Sequence, residues 1–190
     1  MIRGTLRGGK VGAGDFPARQ ITVVPPGDAR FAIPTQNPEE GTNVVYCYYQ
    51  HGPSTYETRA VGLLAQQLMS EKCFDQLRTK EQLGYVASAA LEILYEICGF
   101  RVMVESAFHS PAHVETRINA FLTSFPQTVS DMSDEEFAKT RRSLVDSVLT
   151  MDVSLTAEAD RHWTHVTNQK YQYYRGQIIA GMIDNITKAE

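Results

Sequence analysis

The stretch from Phe74 to Ala89, FDQLRTKEQLGYVASA, contains the most informative polar side chains of this sequence. Arg78 and Lys80 fall at the end of a predicted helix, and Tyr85 falls at the start of the next strand. A guanidinium group and a phenol hydroxyl both donate hydrogen bonds, and here they would emerge on one side of a loop. The same residues also suit a structural role, as a cation at a helix C-terminus and an aromatic ring packed on a sheet. From the residues alone, the structural role is favoured.

Histidines are the candidate metal ligands. His109 and His113 are four residues apart, but a proline at a helix start separates them. His162 and His165 share a predicted helix with Glu158, although exposed helical histidines are more common than metal sites. Neither His-Glu-x-x-His nor His-x-x-Glu-His occurs in the sequence. We therefore expect no metal site, no cofactor and no self-contained zinc hydrolase in this segment.

Other chemistries find little support. The sequence has no Gly-x-Ser-x-Gly elbow and no Cys-x-x-Cys pair. The tract GGKVGAG near the start lacks a preceding strand and a Gly-Lys-Ser/Thr ending, so a linker is favoured over a phosphate loop. Carboxylate pairs such as Glu135 and Glu136 lie in a predicted first helical turn, where they complement the helix dipole.

Composition narrows the class of protein. The 190 residues, 43% of them hydrophobic and 21% charged, fit one folded domain. A net charge of −4 argues against a nucleic-acid partner. No stretch approaches the ~20 apolar residues of a membrane span, and the first residues lack the apolar core of a secretory signal. Three widely spaced cysteines suit a reducing compartment, so we expect a cytoplasmic protein.

Local patterns predict an order of strands, helices, strands and helices. Residues 1–19 are predicted to be a flexible glycine-rich leader, and residues 20–190 a single domain. Runs rich in β-branched or aromatic residues predict these strands: 20–24, 29–33, 42–50, 83–94 and 98–106. The last two would be joined by a turn near Tyr95, with Val102 and Val104 on one face of the final strand and Arg101 on the other.

Capping signals and helical spacing predict the helices. They begin at or near Ser54, Glu71, Ser110, Ser133, Ser154 and Tyr174. The second is short and ends at Lys80, and the third ends at Pro126. The Ser154 helix would bury a stripe of Leu155, Ala159, Trp163 and Val166. Because strands and helices do not alternate regularly, we expect an α+β fold in which helices pack on one face of a largely antiparallel sheet.

The segment SEKCFDQLRTKEQLGYVASA resembles the C-terminal domain of the insulysin/pitrilysin family of zinc metallopeptidases, the inverzincins. The similarity extends before it through VVYCYYQHGPSTYETRAVGLLAQQLMSE and after it through GFRVMVESAFHSPAHVETRINAFL. The segments DMSDEEFAKTRRSL and SLTAEADRHWTHVTNQKYQY also resemble the family. Coverage runs from about Gln20 to Glu190, and FDQLRTKEQLGY is the most specific part.

The resemblance implies a role within a larger enzyme. Members have four similar α+β domains, and their two halves enclose a chamber. The zinc and its ligands belong to the first domain. The last domain closes the chamber and supplies an arginine and a tyrosine that hold the substrate backbone. By motif match these are Arg78 and Tyr85, with Gly84 letting the backbone turn sharply beside them. The implied partners are peptide substrates and the N-terminal catalytic half of the same parent chain.

Two alternatives remain open from the sequence. One is a non-catalytic scaffold subunit of the mitochondrial processing peptidase or core-protein type. The other is a free-standing peptide-binding domain. We also expect the capping box at residues 187–190 to open a further family helix that the sequence lacks. Its absence would uncover an apolar groove near Ile178, Ile179 and Ile183 and favour self-association.

Overall fold

A three-stranded antiparallel sheet organises the part of the chain that the structure, a computed structural model, describes: residues 12, 22, 26–37, 39–167 and 170–189. The strands are β1 (Asn43–Pro53), β2 (Val86–Leu94) and β3 (Ile97–Ser106), and β3 lies between the other two. Tyr95 and Glu96, both at positive φ, form the two-residue turn between β2 and β3. Positive φ at both central residues matches the right-handed twist of the strands, which confirms the predicted turn.

One face of the sheet is apolar and covered. Val102 and Val104 of β3 are fully buried. Val102 pairs with Cys47 and Ala89, whereas Arg101 on the opposite face donates a hydrogen bond to Ser88. The alternation predicted for β3 is confirmed, because neighbouring side chains of a strand point to opposite faces.

The described part of the chain has five α-helices, four of which share a hydrophobic core with the apolar face of the sheet. They are α1 (Tyr56–Cys73), α2 (Pro111–Asp131), α3 (Asp134–Leu149), α4 (Leu155–Thr167) and α5 (Arg175–Asn185), with a π-helical segment, Phe74–Lys80, directly after α1. Residues of α1, α2, α3 and α5 join the sheet in one hydrophobic core. The predicted α+β class, with helices on one face of an antiparallel sheet, is therefore correct. No helix in the described part is long and apolar enough to cross a membrane.

Most helix ends follow the predicted caps. Ser110 and Ser133 cap α2 and α3 as predicted. For α1 the cap is Thr55, whose hydroxyl accepts from the Thr58 amide, and not Ser54. Pro126 does not end α2, which continues to Asp131. Buried Phe125 before the proline and core-packed Val129 after it hold the helix together, offsetting the lost backbone hydrogen bond.

Two predicted apolar patterns are wrong. The segment 29–33 is not a strand, and its Phe31 and Ile33 are 88% and 89% exposed. Two alternating apolar residues therefore did not suffice to define a strand. In α4, Leu155 and Trp163 are 81% and 64% exposed, and the buried side chain is His165.

The region near the C-terminus also differs from expectation. Ile179 and Ile183 are buried in the core, so the predicted groove does not include them, and only Ile178 is substantially exposed. Self-association stays a prediction. The leader 1–19 and the strand 20–24 lie almost wholly outside the described residues, and Glu190 of the predicted capping box also lies outside them. The single domain 20–190 likewise stays a prediction.

Candidate functional site

The π-segment is a widened continuation of α1. Cys73 and Phe74 both keep right-handed helical dihedral angles, so the helix does not stop between them. At the far end, the Glu81 amide donates to the carbonyl oxygen of Gln76, five residues earlier, at 3.0 Å. The predicted second helix ends at Lys80 as expected, but it continues α1 and does not start separately near Glu71. One continuous helix, α1 with its π-segment, therefore carries Arg78 close to the loop that precedes β2.

Arg78 lies between two aromatic rings. Its guanidinium carbon is 4.5 Å from the ring centroid of Phe74 and 4.9 Å from that of Tyr85. Such cation–π contacts favour a planar cation over a ring face. Within the described residues, the Arg78 side chain forms no hydrogen bond or ion pair. Its fork of N–H donors has no acceptor among the described residues and remains available to a ligand.

Tyr85 presents its ring to solvent. The residue is 80% exposed, and its hydroxyl has no hydrogen-bond partner in the described part of the chain. It is therefore not a core aromatic, and the protein group stacked on it is Arg78. The structure thus brings together the two residues singled out from the sequence, as adjacent donors on one surface.

Gly84 serves close packing, in contrast to the sharp turn expected there. A Cβ at this position would overlap the carbonyl oxygen of Glu105 and lie 2.7 Å from its carbonyl carbon. The backbone before β2 therefore lies directly against β3, which only glycine permits. The unusual backbone angle belongs to Gln82, at a φ of 52°. Gln82 makes the turn, and Gly84 lets the chain pack after it.

Two buried leucines anchor this turn. Leu77 and Leu83 are 0% and 1% exposed, one on each side of the turn. The Leu83 amide donates to the Leu77 carbonyl oxygen at 3.0 Å, closing the end of the π-segment. Burial of both side chains fixes the depth of the loop between Arg78 and Tyr85.

An ion pair ties the same turn to α2. Arg117 donates from Nε to Glu81 Oε2 at 2.7 Å and from Nη2 to Oε1 at 2.8 Å. Gln76 Nε2 also donates to Oε1, at 2.6 Å. The Arg117 hydrogen bonds lower the pKa of Glu81 against the opposing effect of burial, with smaller contributions from Gln76 and from His113 nearby. Glu81 is therefore a fixed carboxylate, three residues after Arg78 and four before Tyr85.

The histidines form no comparable site. The rings of His109 and His113 stack with centroids 5.0 Å apart. His162 lies 3.8 Å from the Glu158 carboxylate, while His165 packs edge-on against Tyr173, and burial, followed by Arg175, lowers its pKa. Across the described residues, no group of three or more His, Cys, Asp or Glu side chains is arranged to hold a metal ion.

Sequence reasoning missed the ion pair and the stack. Glu81 lies inside the FDQLRTKEQLGY block, but its partner Arg117 is 36 residues away on another helix. Only the position of Glu81, a carboxylate directly after a predicted helix, could have drawn attention to it. The stack was missed because nothing in the local pattern indicates that the Phe74 ring, 42% exposed, lies against the Arg78 guanidinium.

Comparison with known proteins shows where this arrangement belongs. A family model described as PQQ synthase PqqF-like, C-terminal lobe domain 4, matches residues 63–163. These residues include the π-segment, Tyr85 and Arg117. A nardilysin-like protein of Arabidopsis thaliana is 31% identical over 158 residues, which cover 81% of this chain and 15% of that protein. Insulin-degrading enzyme of Drosophila melanogaster is 32% identical over 143 residues, covering 75% of this chain and 14% of that enzyme.

A solved structure supports the fold independently. The crystal structure of pitrilysin superposes with a TM-score of 0.70 at 22% sequence identity, over 78% of this chain and 16% of that one. The chain thus spans about one seventh of the length of the curated relatives it matches, 14–15%.

Proposed function

Because the chain belongs to the PqqF-like C-terminal lobe domain 4 family of the insulysin/pitrilysin peptidases, we propose that it acts as the C-terminal, non-metal-binding domain of a zinc metalloendopeptidase. In that role it closes the chamber against the N-terminal catalytic half and positions the peptide substrate. The short coverage of the relatives supports this proposal, because they are about seven times longer than the matched segment.

Arg78 and Tyr85 carry the proposed substrate contacts. The observation behind this assignment is the pair of adjacent hydrogen-bond donors, stacked at 4.9 Å, that have no acceptor among the described residues. A peptide backbone is a row of carbonyl acceptors, and a guanidinium with a neighbouring hydroxyl can bind two of them at once. Held in this way, the peptide would lose rotational freedom before reacting.

Across the described residues no group of three or more His, Cys, Asp or Glu side chains is arranged to hold a metal ion. We propose that the metal of the parent enzyme is held by its N-terminal half, and we assign this domain no step of metal chemistry. We further propose a cytoplasmic location, on the basis of the three free cysteines, Cys47, Cys73 and Cys98.

The test is the removal of one donor in the full-length parent protein. Tyr85→Phe deletes only the hydroxyl of an exposed ring, so folding should be unchanged. We propose that this hydroxyl also donates to the oxyanion that forms during cleavage, so we expect turnover of a peptide substrate to fall roughly 10²–10³-fold, the effect of losing one such donor. Tyr174→Phe is the matched control, since that tyrosine is 74% exposed and directly precedes α5. Wild-type kinetics in both Tyr85→Phe and Arg78→Ala would return the pair to a structural role and favour the scaffold alternative.

A second experiment tests whether the chain is inactive alone. We expect no cleavage when the purified chain is incubated with unstructured peptides and added zinc, because neither His-Glu-x-x-His nor its inverted form occurs in the sequence. Mass spectrometry of the peptides is the measurement. Zinc-dependent cutting that survives repurification and stops on chelation would contradict the proposal.

A further inference from the structure

The Glu81–Arg117 ion pair has a bidentate geometry that can fix the orientation of the loop to which Glu81 belongs. Both oxygens of Glu81 accept from the guanidinium fork, at 2.7 and 2.8 Å, and Gln76 adds a third hydrogen bond at 2.6 Å. A bidentate contact fixes the rotation of both partners as well as their distance. The side chain of Glu81 is 15% exposed, so water competes little for these contacts.

Glu81 lies between Arg78 and Tyr85 in the chain, so fixing its side chain also restrains the backbone that joins these two residues. The chain from Arg78 to Tyr85 turns at Gln82, whose φ of 52° is strained for a residue with a side chain. Such a conformation persists only where its surroundings enforce it. Leu77 and Leu83 bury the turn and are joined by one neutral backbone hydrogen bond at 3.0 Å, whereas Glu81 ties it to another helix through two charge-assisted hydrogen bonds.

The donors themselves are held only weakly. Arg78 has aromatic contacts and no hydrogen bond within the described residues, and Tyr85 is 80% exposed. Their relative position therefore depends on the backbone that joins them, and the strongest directional contact on that backbone is the ion pair at Glu81.

We propose that Glu81 and Arg117 are positioning residues that hold the turn at Gln82, and through it the Arg78–Tyr85 pair, in the geometry that binds a peptide backbone. This proposal rests on the proposed function for its substrate, but its structural part can be measured without any substrate.

The first measurement is the NMR signal of the Arg78 Nε–H group in the ¹⁵N-labelled 190-residue chain, assigned with Arg78→Lys. Ring currents from Phe74 and Tyr85 should shift this signal upfield. We expect Glu81→Gln to move it toward the position of a solvent-exposed arginine. Arg117→Lys keeps the cation but loses the fork, and it should move the signal by a smaller amount. Asp75→Asn is the matched control, because it removes an exposed ion pair, 2.8 Å to Lys80, from the same π-segment.

The second measurement is the affinity of the same variants for an unstructured, fluorescein-labelled decapeptide. We expect Glu81→Gln to weaken binding about 3- to 10-fold, as the loss of one well-placed hydrogen bond would, and Asp75→Asn to leave it unchanged. If Glu81→Gln prevents folding, Arg117→Lys decides by the same two measurements.

The outcomes separate the two proposals. An unchanged Arg78 signal and unchanged affinity in Glu81→Gln, in a chain where Tyr85→Phe weakens binding, would overturn the positioning role. A shifted Arg78 signal in Glu81→Gln, in a chain where Tyr85→Phe and Arg78→Lys bind peptide like the wild type, would support the positioning role and contradict the proposed peptide contacts.

Discussion

Two regions of the molecule place their side chains in different ways. One is the corner between the π-segment and β2, residues 78–85, and the other is the helix α4. At the corner, two buried leucines, a glycine packed against a neighbouring strand and a bidentate ion pair all restrain the same eight residues. In α4, most large apolar side chains face solvent, and His165 is the buried one. The corner is held by independent contacts, so a change there has consequences that the same change in α4 should lack.

The largest effect should come from Gly84→Ala. The new Cβ would overlap the backbone of Glu105, which cannot move without shifting β3. We expect a loss of about 3 kcal/mol or more in the free energy of unfolding, beyond the usual cost of overpacking. Urea denaturation is the measurement. Gly181→Ala is the control, because a Cβ there meets nothing within 4 Å and should stabilise α5 by about 0.5–1 kcal/mol. Equal stabilities of the two variants would show that the corner is not tightly packed.

Glu81→Gln should have an intermediate effect that depends on pH. The pKa of Glu81 is lower in the folded chain than its unfolded value of about 4.3. The ion pair therefore contributes fully to stability above that value, and the contribution is lost as pH falls through the folded pKa. We expect the variant to be about 1.5–3 kcal/mol less stable at pH 7, the range for hydrogen bonds to charged groups, with the difference shrinking below about pH 4. A difference that is the same at pH 3 and pH 7 would argue against this ion pair.

Trp163→Ala should have the smallest effect. Its side chain is 64% exposed, so we expect a change within about 0.5 kcal/mol. The buried stripe predicted from the sequence would require a loss of about 3–5 kcal/mol. Circular dichroism at 222 nm is the suitable probe, because the variant lacks the one tryptophan of the chain. A large loss would show that α4 packs through this side chain after all.

The contrast also shows what the sequence could predict. The hairpin of β2 and β3 followed from alternation because one of its faces is covered along its whole length, as at Val102 and Val104. The same kind of argument failed for α4 because an amphipathic spacing identifies a helix but not whether a neighbour covers its apolar side. The prediction that α2 ends at Pro126 failed because the packing of Phe125 and Val129 in the core outweighed the tendency of proline to end a helix.

The site was predictable only in part, for a related reason. Arg78 and Tyr85 lie seven residues apart in a specific motif, and their type suggested donors. The contact between Glu81 and Arg117 joins residues 36 positions apart, and no periodicity encodes such a pairing. The role of Gly84 was also hidden, because the close approach of Glu105 belongs to the register between β2 and β3.

The continuity of α1 with the π-segment makes the number of residues in that helix part of the site. An α-helix rotates by about 100° and advances ~1.5 Å per residue. A single residue inserted between the buried Leu64 and Leu68 would thus swing Arg78 a quarter turn away from Tyr85, with every side chain of the site unchanged. A π turn is the means by which a helix accommodates one additional residue without losing phase beyond it. The π-segment at residues 74–80 therefore sets the direction in which Arg78 leaves the helix axis. We expect insertions and deletions among related sequences to fall in the loops and not in this helix.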